Sequence, residues 1–261
     1  MSRLPTLFIS HGSPMLAIED SPARRFLLTL GMQLPRPKAI VVASAHWESA
    51  GGPAVSLAAS PETIHDFGGF PAELFAIRYP APGAPEIAER AAKLLEQAGF
   101  SVERSVDRGR DHGAWVPLRL MYPGADVPVT QVSILSDAGP ADHAKMGQAL
   151  SSLRDDNVLV IGSGSLTHNL HEFRGHAIDA PVPPWVSDFG TWMMNRLRDN
   201  DRHGLLDYRR QAPFAARNHP TEEHLLPLFV AMGAAGVDAT AERLHGSYEY
   251  GVLAMDIYAF S

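Results

Sequence analysis

Two kinds of apolar pattern alternate along this chain. Short, nearly unbroken apolar runs at Leu7–Ser10, Ala39–Ala45, Val127–Ile134 and Val158–Ile161 read as strands, with Ala54–Ala58 and the alternating Ser101–Val106 as further candidates. Ala39–Ala45 holds no charged or strongly polar residue before Ser44, the mark of a strand buried on both faces. Between these runs the apolar residues recur at helical spacing. Ser21-Pro22 reads as an N-cap followed by a proline in the first turn, opening a helix that runs to about Gly31. Pro85–Ala98 places Ile87, Ala91, Leu94 and Leu95 on one face and stops at Gly99. Further helices are expected over about Ala141–Leu153, over Pro184–Arg198 and over about Leu225–Ala235. Near the end, Ala239–His245 and Gly251–Phe260 flank Gly246-Ser247-Tyr248-Glu249-Tyr250, an expected antiparallel hairpin. The pattern predicts an α/β fold: a single domain over residues 1–261, with a mixed central β-sheet, helices on both faces and a C-terminal antiparallel hairpin. Two long connections, Ser60–Phe70 and Asn169–Pro183, have the length of binding loops or lids.

Four histidines stand where an apolar run gives way to a polar or glycine-rich turn. His11 follows Leu7-Phe8-Ile9-Ser10, and His46 follows Ile40-Val41-Val42-Ala43-Ser44-Ala45. His168 follows Val158–Ile161 through a Gly/Ser turn, and His224 closes His219-Pro220-Thr221-Glu222-Glu223-His224. In an open α/β sheet the carboxyl ends of the strands are where ligands bind. Imidazoles gathered there from distant parts of the chain point to a metal centre. One such histidine alone would be read as structural. His11, His46, His65, His112, His168, His219 and His224 together argue against that reading, since every buried imidazole needs a partner. His143, His203 and His245 sit in ordinary polar surroundings and read as surface or hydrogen-bonded histidines, with His171 and His176 less settled.

Composition narrows the chemistry. The chain has 261 residues, 45% of them hydrophobic, no cysteine and a formal net charge of −7. It is long enough for a sizeable core. The lack of cysteine excludes disulfides, iron–sulfur clusters and thiol nucleophiles, so any metal must rest on His, Asp and Glu. With no basic block, a nucleic-acid partner is not expected, and no apolar run reaches membrane-spanning length. The first residues read as entering a strand rather than as the apolar core of a signal peptide, so a cytoplasmic location is expected. Gly162-Ser163-Gly164 has Thr167 where a dinucleotide loop needs its third glycine, and no G-x-S-x-G elbow supports a serine hydrolase.

Six segments, in order and spanning residues 11 to 228, carry a resemblance. They are His11-Gly12-Ser13-Pro14, Ser44-Ala45-His46-Trp47-Glu48 and His65-Asp66-Phe67-Gly68-Gly69-Phe70-Pro71. Asp111-His112-Gly113-Ala114-Trp115-Val116-Pro117-Leu118, then Gly162–Leu170, then His219–Leu228 complete the set. The chain resembles the class III (LigB-type) extradiol ring-cleavage dioxygenases, and within them the DOPA extradiol dioxygenase group. The resemblance implies that His11, His46 and His224 hold one divalent metal, with Glu223 as the alternative to His224. It implies that His168 acts beside the metal as acid/base, or as a fourth ligand when zinc is bound. His112 is implied as a catalytic or substrate-contacting histidine. The His65 loop, Phe67 and Trp115 are the expected substrate neighbours.

The implied chemistry has physical requirements. Ring cleavage of a catechol by O₂ needs a metal with open positions, and three facial ligands leave room for two catechol oxygens and one O₂. Iron(II) is expected for that activity. Zinc(II) has no redox chemistry, although it binds histidine sites tightly and is expected in purified protein. The expected partners are therefore a small catechol and O₂, with no nucleic acid and no membrane. Two other readings stay open. One is a zinc-dependent, amidase-type hydrolase on the same scaffold, with Glu48 or Glu223 as base. The other is a metal-binding relative without catalysis.

Overall fold

The computed structural model describes residues 3–173 and 175–261; Met1 and Ser2, and Arg174 of the second long connection, lie outside them. Strands β1 (Thr6–Ser10), β2 (Ala39–Ser49), β3 (Ala54–Ser56), β4 (Glu103–Ser105), β5 (Val129–Leu135) and β6 (Val158–Gly164) make up most of the main sheet. Near the C-terminus come β7 (Ala241–His245), β8 (Tyr248–Glu249), β9 (Leu253–Ala254) and β10 (Ile257–Phe260). The helices are α1 (Pro22–Gln33), α2 (Ala72–Ala76), α3 (Pro85–Gln97), α4 (His112–Met121) and α5 (Pro140–Leu150). They continue with α6 (Pro184–Arg198), α7 (Arg202–Leu206), α8 (Tyr208–Gln211), α9 (Ala215–Asn218) and α10 (Leu226–Ala235).

The eight-stranded sheet has the order β4-β3-β5-β2-β6-β1-β10-β7. Its centre, β5-β2-β6-β1, is parallel. The mixed character comes from the edges, where β3 runs antiparallel to β5, and β10 antiparallel to both β1 and β7. The expected C-terminal hairpin is thus β7 with β10, and a second small hairpin, β8–β9, lies between them.

The unbroken apolar runs have the expected cause. Ile40 and Val42 pack with Leu27 and Leu30 of α1 and with Trp115 and Leu118 of α4. The alternate residues Ala39, Val41 and Ala43 pack with Ala88, Ala91 and Leu95 of α3 and with Met146 and Leu150 of α5. Ser21 caps α1 as its sequence predicts, its hydroxyl accepting the Arg24 N–H.

Several boundaries and elements differ from the sequence expectation. Strand β2 continues past Ala45 to Ser49. Helix α4 was not expected, because it is buried on nearly every side and has no amphipathic stripe to read. Gly162 and Gly164 serve packing: a Cβ at Gly162 would lie 2.0 Å from the Pro227 carbonyl oxygen, and one at Gly164 would lie 2.1 Å from that of His224. These two glycines let the start of α10 press onto β6, which brings His224 to the ends of the central strands. The acids Glu222 and Glu223 lie in turns before α10, and Pro227 falls in that helix's first turn, where it removes no helical hydrogen bond.

His143 is fully buried rather than exposed. Its Nδ1–H donates to the Gly139 carbonyl (2.7 Å), and its Nε2 accepts the Leu135 N–H (3.0 Å). Burial lowers its pKa below the ordinary 6.5. Below pH 6.5 the unfolded chain therefore takes up a proton that the folded chain resists, so this contribution to stability is lost as pH falls. His143→Gln is expected to cost roughly 1–3 kcal/mol at pH 7.5 and less at pH 5.5. Denaturant melts of both proteins at the two pH values check this; a cost that stays constant or grows on acidification refutes it.

Candidate metal centre and ring slot

Strands β1, β6 and β2 deliver their ends to one side of the sheet. His11 is the first residue after β1, with Gly12 turning the chain at φ +59°. Strand β2 slips against β5 between Ser44 and Glu48: Ser44 pairs with Ser133 and Glu48 with Ile134. The three residues between them, His46 included, leave the ladder, as a bulge does when it re-aims a side chain. Gly113 of α4 packs beneath the imidazoles, where a Cβ would come within 3.0 Å of the His46 ring and 3.1 Å of the His11 ring. Asp111 caps α4 and also accepts hydrogen bonds from Ser44 Oγ (2.6 Å), Gln131 Nε2 (2.7 Å) and Arg108 (3.1 Å), locking the helix start under β2.

Three imidazoles meet at their Nε2 atoms. His46 Nε2 is 3.0 Å from His11 Nε2 and 3.3 Å from His224 Nε2. The partners on the other ring nitrogens fix the tautomers. Ser163 Oγ gives its proton to the Gly113 carbonyl, so it accepts from His11 Nδ1 (3.0 Å). Glu223 Oε1 accepts from His224 Nδ1 (2.8 Å), and Asp66 Oδ2 lies 3.2 Å from His46 Nδ1 as a charge contact. A carboxylate can only accept, so the His224 ring carries its hydrogen on Nδ1, and the charge of Asp66 favours the same tautomer for His46. In those tautomers the three Nε2 lone pairs face one another. Burial, reinforced by the neighbouring imidazoles, holds His11 and His224 well below the ordinary pKa of 6.5 and His46 at about 4. Such a donor set suits a cation. Two imidazole nitrogens bound about 2.1 Å from one ion, at angles between octahedral and tetrahedral, lie roughly 3.0–3.4 Å apart, so these residues fit a single divalent metal.

Two other His/carboxylate groups have ligand atoms within 4.8 Å of one another: His46, Asp66 and His112, and His168, Glu223 and His224. In each, the carboxylate is already engaged by an Nδ1–H. Asp66 accepts both the main-chain N–H (2.9 Å) and the Nδ1–H (3.0 Å) of His112. Burial pushes its carboxyl up, but the His112 hydrogen bonds outweigh that and hold it at about 2. His168 lies flat on His224, with ring centroids 3.4 Å apart and planes 9° from parallel. Its Nδ1 is 3.9 Å from Glu223 Oε1, and burial lowers its pKa to about 4.

A cavity of about 270 Å³ opens above the histidines, walled by Pro14, Phe67, Phe70, Phe173 and Leu253, with His46, His112, His168 and His224 at its floor. An apolar cavity of roughly 150 Å³ suffices for benzene, so this slot is large enough for one substituted aromatic ring. A larger polar cavity of about 740 Å³, which includes Glu48, Asp66, Arg209 and Glu223, reaches His46 and His224 from another direction.

The structure thus brings together His11, His46, His112, His168, His224, Glu223 and Phe67. It places His65 and Trp115 behind the slot wall rather than on it. Trp115 is fully buried, and its indole N–H donates to the Ile64 carbonyl (2.9 Å). His65 donates to the Ile77 carbonyl (3.1 Å) and packs edge-on against Phe67 and Trp115. Both support the Phe67 loop from behind. Sequence reasoning missed Ser163, Asp66 and Phe173; only Asp66, next to His65 in a long loop, offered a signal.

Comparison with known proteins agrees with this geometry. Residues 5–261 match the family described as the catalytic LigB subunit of aromatic ring-opening dioxygenase. The chain belongs to this family. Among relatives of this ring-opening dioxygenase, 4,5-DOPA dioxygenase extradiol from Beta vulgaris is 45% identical over 98% of this chain and 96% of that protein. The protein of the same description from Escherichia coli is 42% identical, covering 89% and 86% of the two chains. The crystal structure of an uncharacterized protein from Escherichia coli K12 superposes with a TM-score of 0.82 at 35% identity, covering 99% of this chain and all of that one. The α/β architecture with its mixed sheet is therefore the family fold. Among the described residues, no helix is long and apolar enough to cross a membrane.

Proposed function

We propose that this ring-opening dioxygenase cleaves a catechol of the DOPA type by the extradiol route, with iron(II) held by His11, His46 and His224. The observation that carries the reading is the convergence of three histidine Nε2 atoms at the floor of an aromatic-walled slot. When bound there, iron(II) supplies the electron relay between catechol and O₂ that zinc, without redox chemistry, does not. The chain's own residues do the rest. Phe67 and Phe70 hold the ring flat and keep water from it. His112 and His168 sit at the slot floor within reach of the catechol oxygens. His168, stacked on His224, takes a proton from a catechol hydroxyl and returns it as the ring opens. The 4,5-DOPA dioxygenases among the relatives support DOPA as the first substrate to try.

The test is reconstitution with iron(II) under nitrogen, addition of DOPA or another catechol, and admission of O₂. Oxygen uptake is expected to match ring-opened product one for one, because both oxygen atoms end in the product. No turnover across a panel of catechols, together with amide hydrolysis by the zinc form, would overturn the reading in favour of a hydrolase.

A further inference from the structure

We propose that Asp66 is a positioning residue that sets the tautomer of two histidines at once, His46 and His112, and thereby ties the slot loop to the metal centre. Its Oδ1 accepts the His112 main-chain N–H (2.9 Å); its Oδ2 accepts the His112 Nδ1–H (3.0 Å) and lies 3.2 Å from His46 Nδ1. The two rings sit against each other, with centroids 3.9 Å apart. Since the carboxylate donates nothing, His112 turns its Nδ1–H toward it and leaves its Nε2 unprotonated; for His46 the negative charge 3.2 Å from Nδ1 favours the same tautomer without an aligned hydrogen bond. For His46 that frees the atom that faces His11 and His224. For His112, whose Nε2 has no hydrogen-bond partner among the described residues, it leaves an acceptor at the floor of the slot for a hydroxyl of the bound ring.

The same short loop supplies the slot wall. Phe67 follows Asp66 directly, and Gly68 and Phe70 also line the cavity. The residues that grip the ring and the carboxylate that orients both histidines are therefore one segment. This segment has an anchor independent of Asp66: Ile64 N–H donates to the Arg110 carbonyl (2.7 Å), and the Trp115 indole donates to the Ile64 carbonyl (2.9 Å). Asp66 variants keep that anchor.

The inference rests on the metal centre proposed above, and its test separates the two. In metal-free protein labelled with ¹⁵N-histidine, at pH 7.5, long-range proton–nitrogen correlation spectra are expected to show both His46 and His112 as Nδ1–H tautomers. Asp66→Asn is the same size but turns an amide donor toward the rings. It is expected to move His46 or His112 toward the Nε2–H form and to weaken zinc(II) and iron(II) binding by roughly 10–100-fold. Asp66→Ala is expected to weaken binding similarly, and both variants to raise KM for the catechol. The proposal falls if either ring of the unmodified protein is in the Nε2–H form, whatever the variants do. It also falls if the asparagine variant keeps both tautomers and binds metal within twofold of the parent, leaving Asp66 only a loop-holding role. If the parent itself binds no metal, the metal centre is refuted and the tautomers still decide the case of Asp66.

Discussion

His46→Ala is expected to empty the metal site and abolish measurable turnover. His46 is central among the three Nε2 atoms, 3.0 Å from His11 and 3.3 Å from His224. Its removal leaves only two neutral donors facing each other. Apparent binding energies for protein sites with four ligands reach about 10–16 kcal/mol, so one ligand of a smaller set is worth roughly 3–4 kcal/mol, a loss in affinity on the order of 10²–10³-fold. Anaerobic titration with iron(II) and elemental analysis after dialysis measure it. His65→Ala is the matched control: its ring lies behind Phe67 and donates to the Ile77 carbonyl, so metal content should be unchanged. Equal metal retention by the His46 and His65 variants would rule out His46 as a ligand.

How far these sites can be read from sequence depends on which interactions are local. The central strands are legible because Ala39–Ala43 must be apolar on both faces, and the resulting pattern needs no knowledge of what covers it. His11 and His168 are legible as strand-end residues for the same reason. His46 follows an apolar run, but β2 continues through it to Ser49, and the slip that turns it toward the centre belongs to the pairing with β5 and leaves no local trace. Helix α4 was hidden by its own burial, with Gly113 and Pro117 interrupting a segment that is apolar on nearly all sides. The acceptors that fix the ring tautomers follow the same rule. Glu223 lies beside His224 in the chain, but Ser163 comes from β6 to meet His11, and Asp66 reaches His46 and His112 from a loop. Trp115 is a further case. It lies three residues from His112 in sequence, yet its indole donates to Ile64 and the ring is buried behind the slot wall, a placement that chain proximity does not reveal.

His168→Ala tests the separation between holding the metal and moving protons. His168 is not one of the three converging Nε2 atoms; its ring stacks face to face on His224, and it borders the slot. On the proposed mechanism a residue so placed contributes through proton transfer, which is worth roughly 10²–10⁴-fold in rate. The alanine variant is therefore expected to lose kcat by about that factor while its iron content and affinity stay within a few-fold of the parent. The surviving His11, His46 and His224 keep their Nδ1 partners Ser163, Asp66 and Glu223, so nothing in the triad should shift its tautomer. The truncation also leaves a gap beside His224 at the slot floor. Added imidazole is expected to enter it and restore part of the rate without changing the iron content. Measuring kcat, iron content and imidazole rescue on both variants separates the roles. Should His168→Ala lose its iron as His46→Ala does, His168 belongs among the ligands, and the proton must be moved by His112 instead.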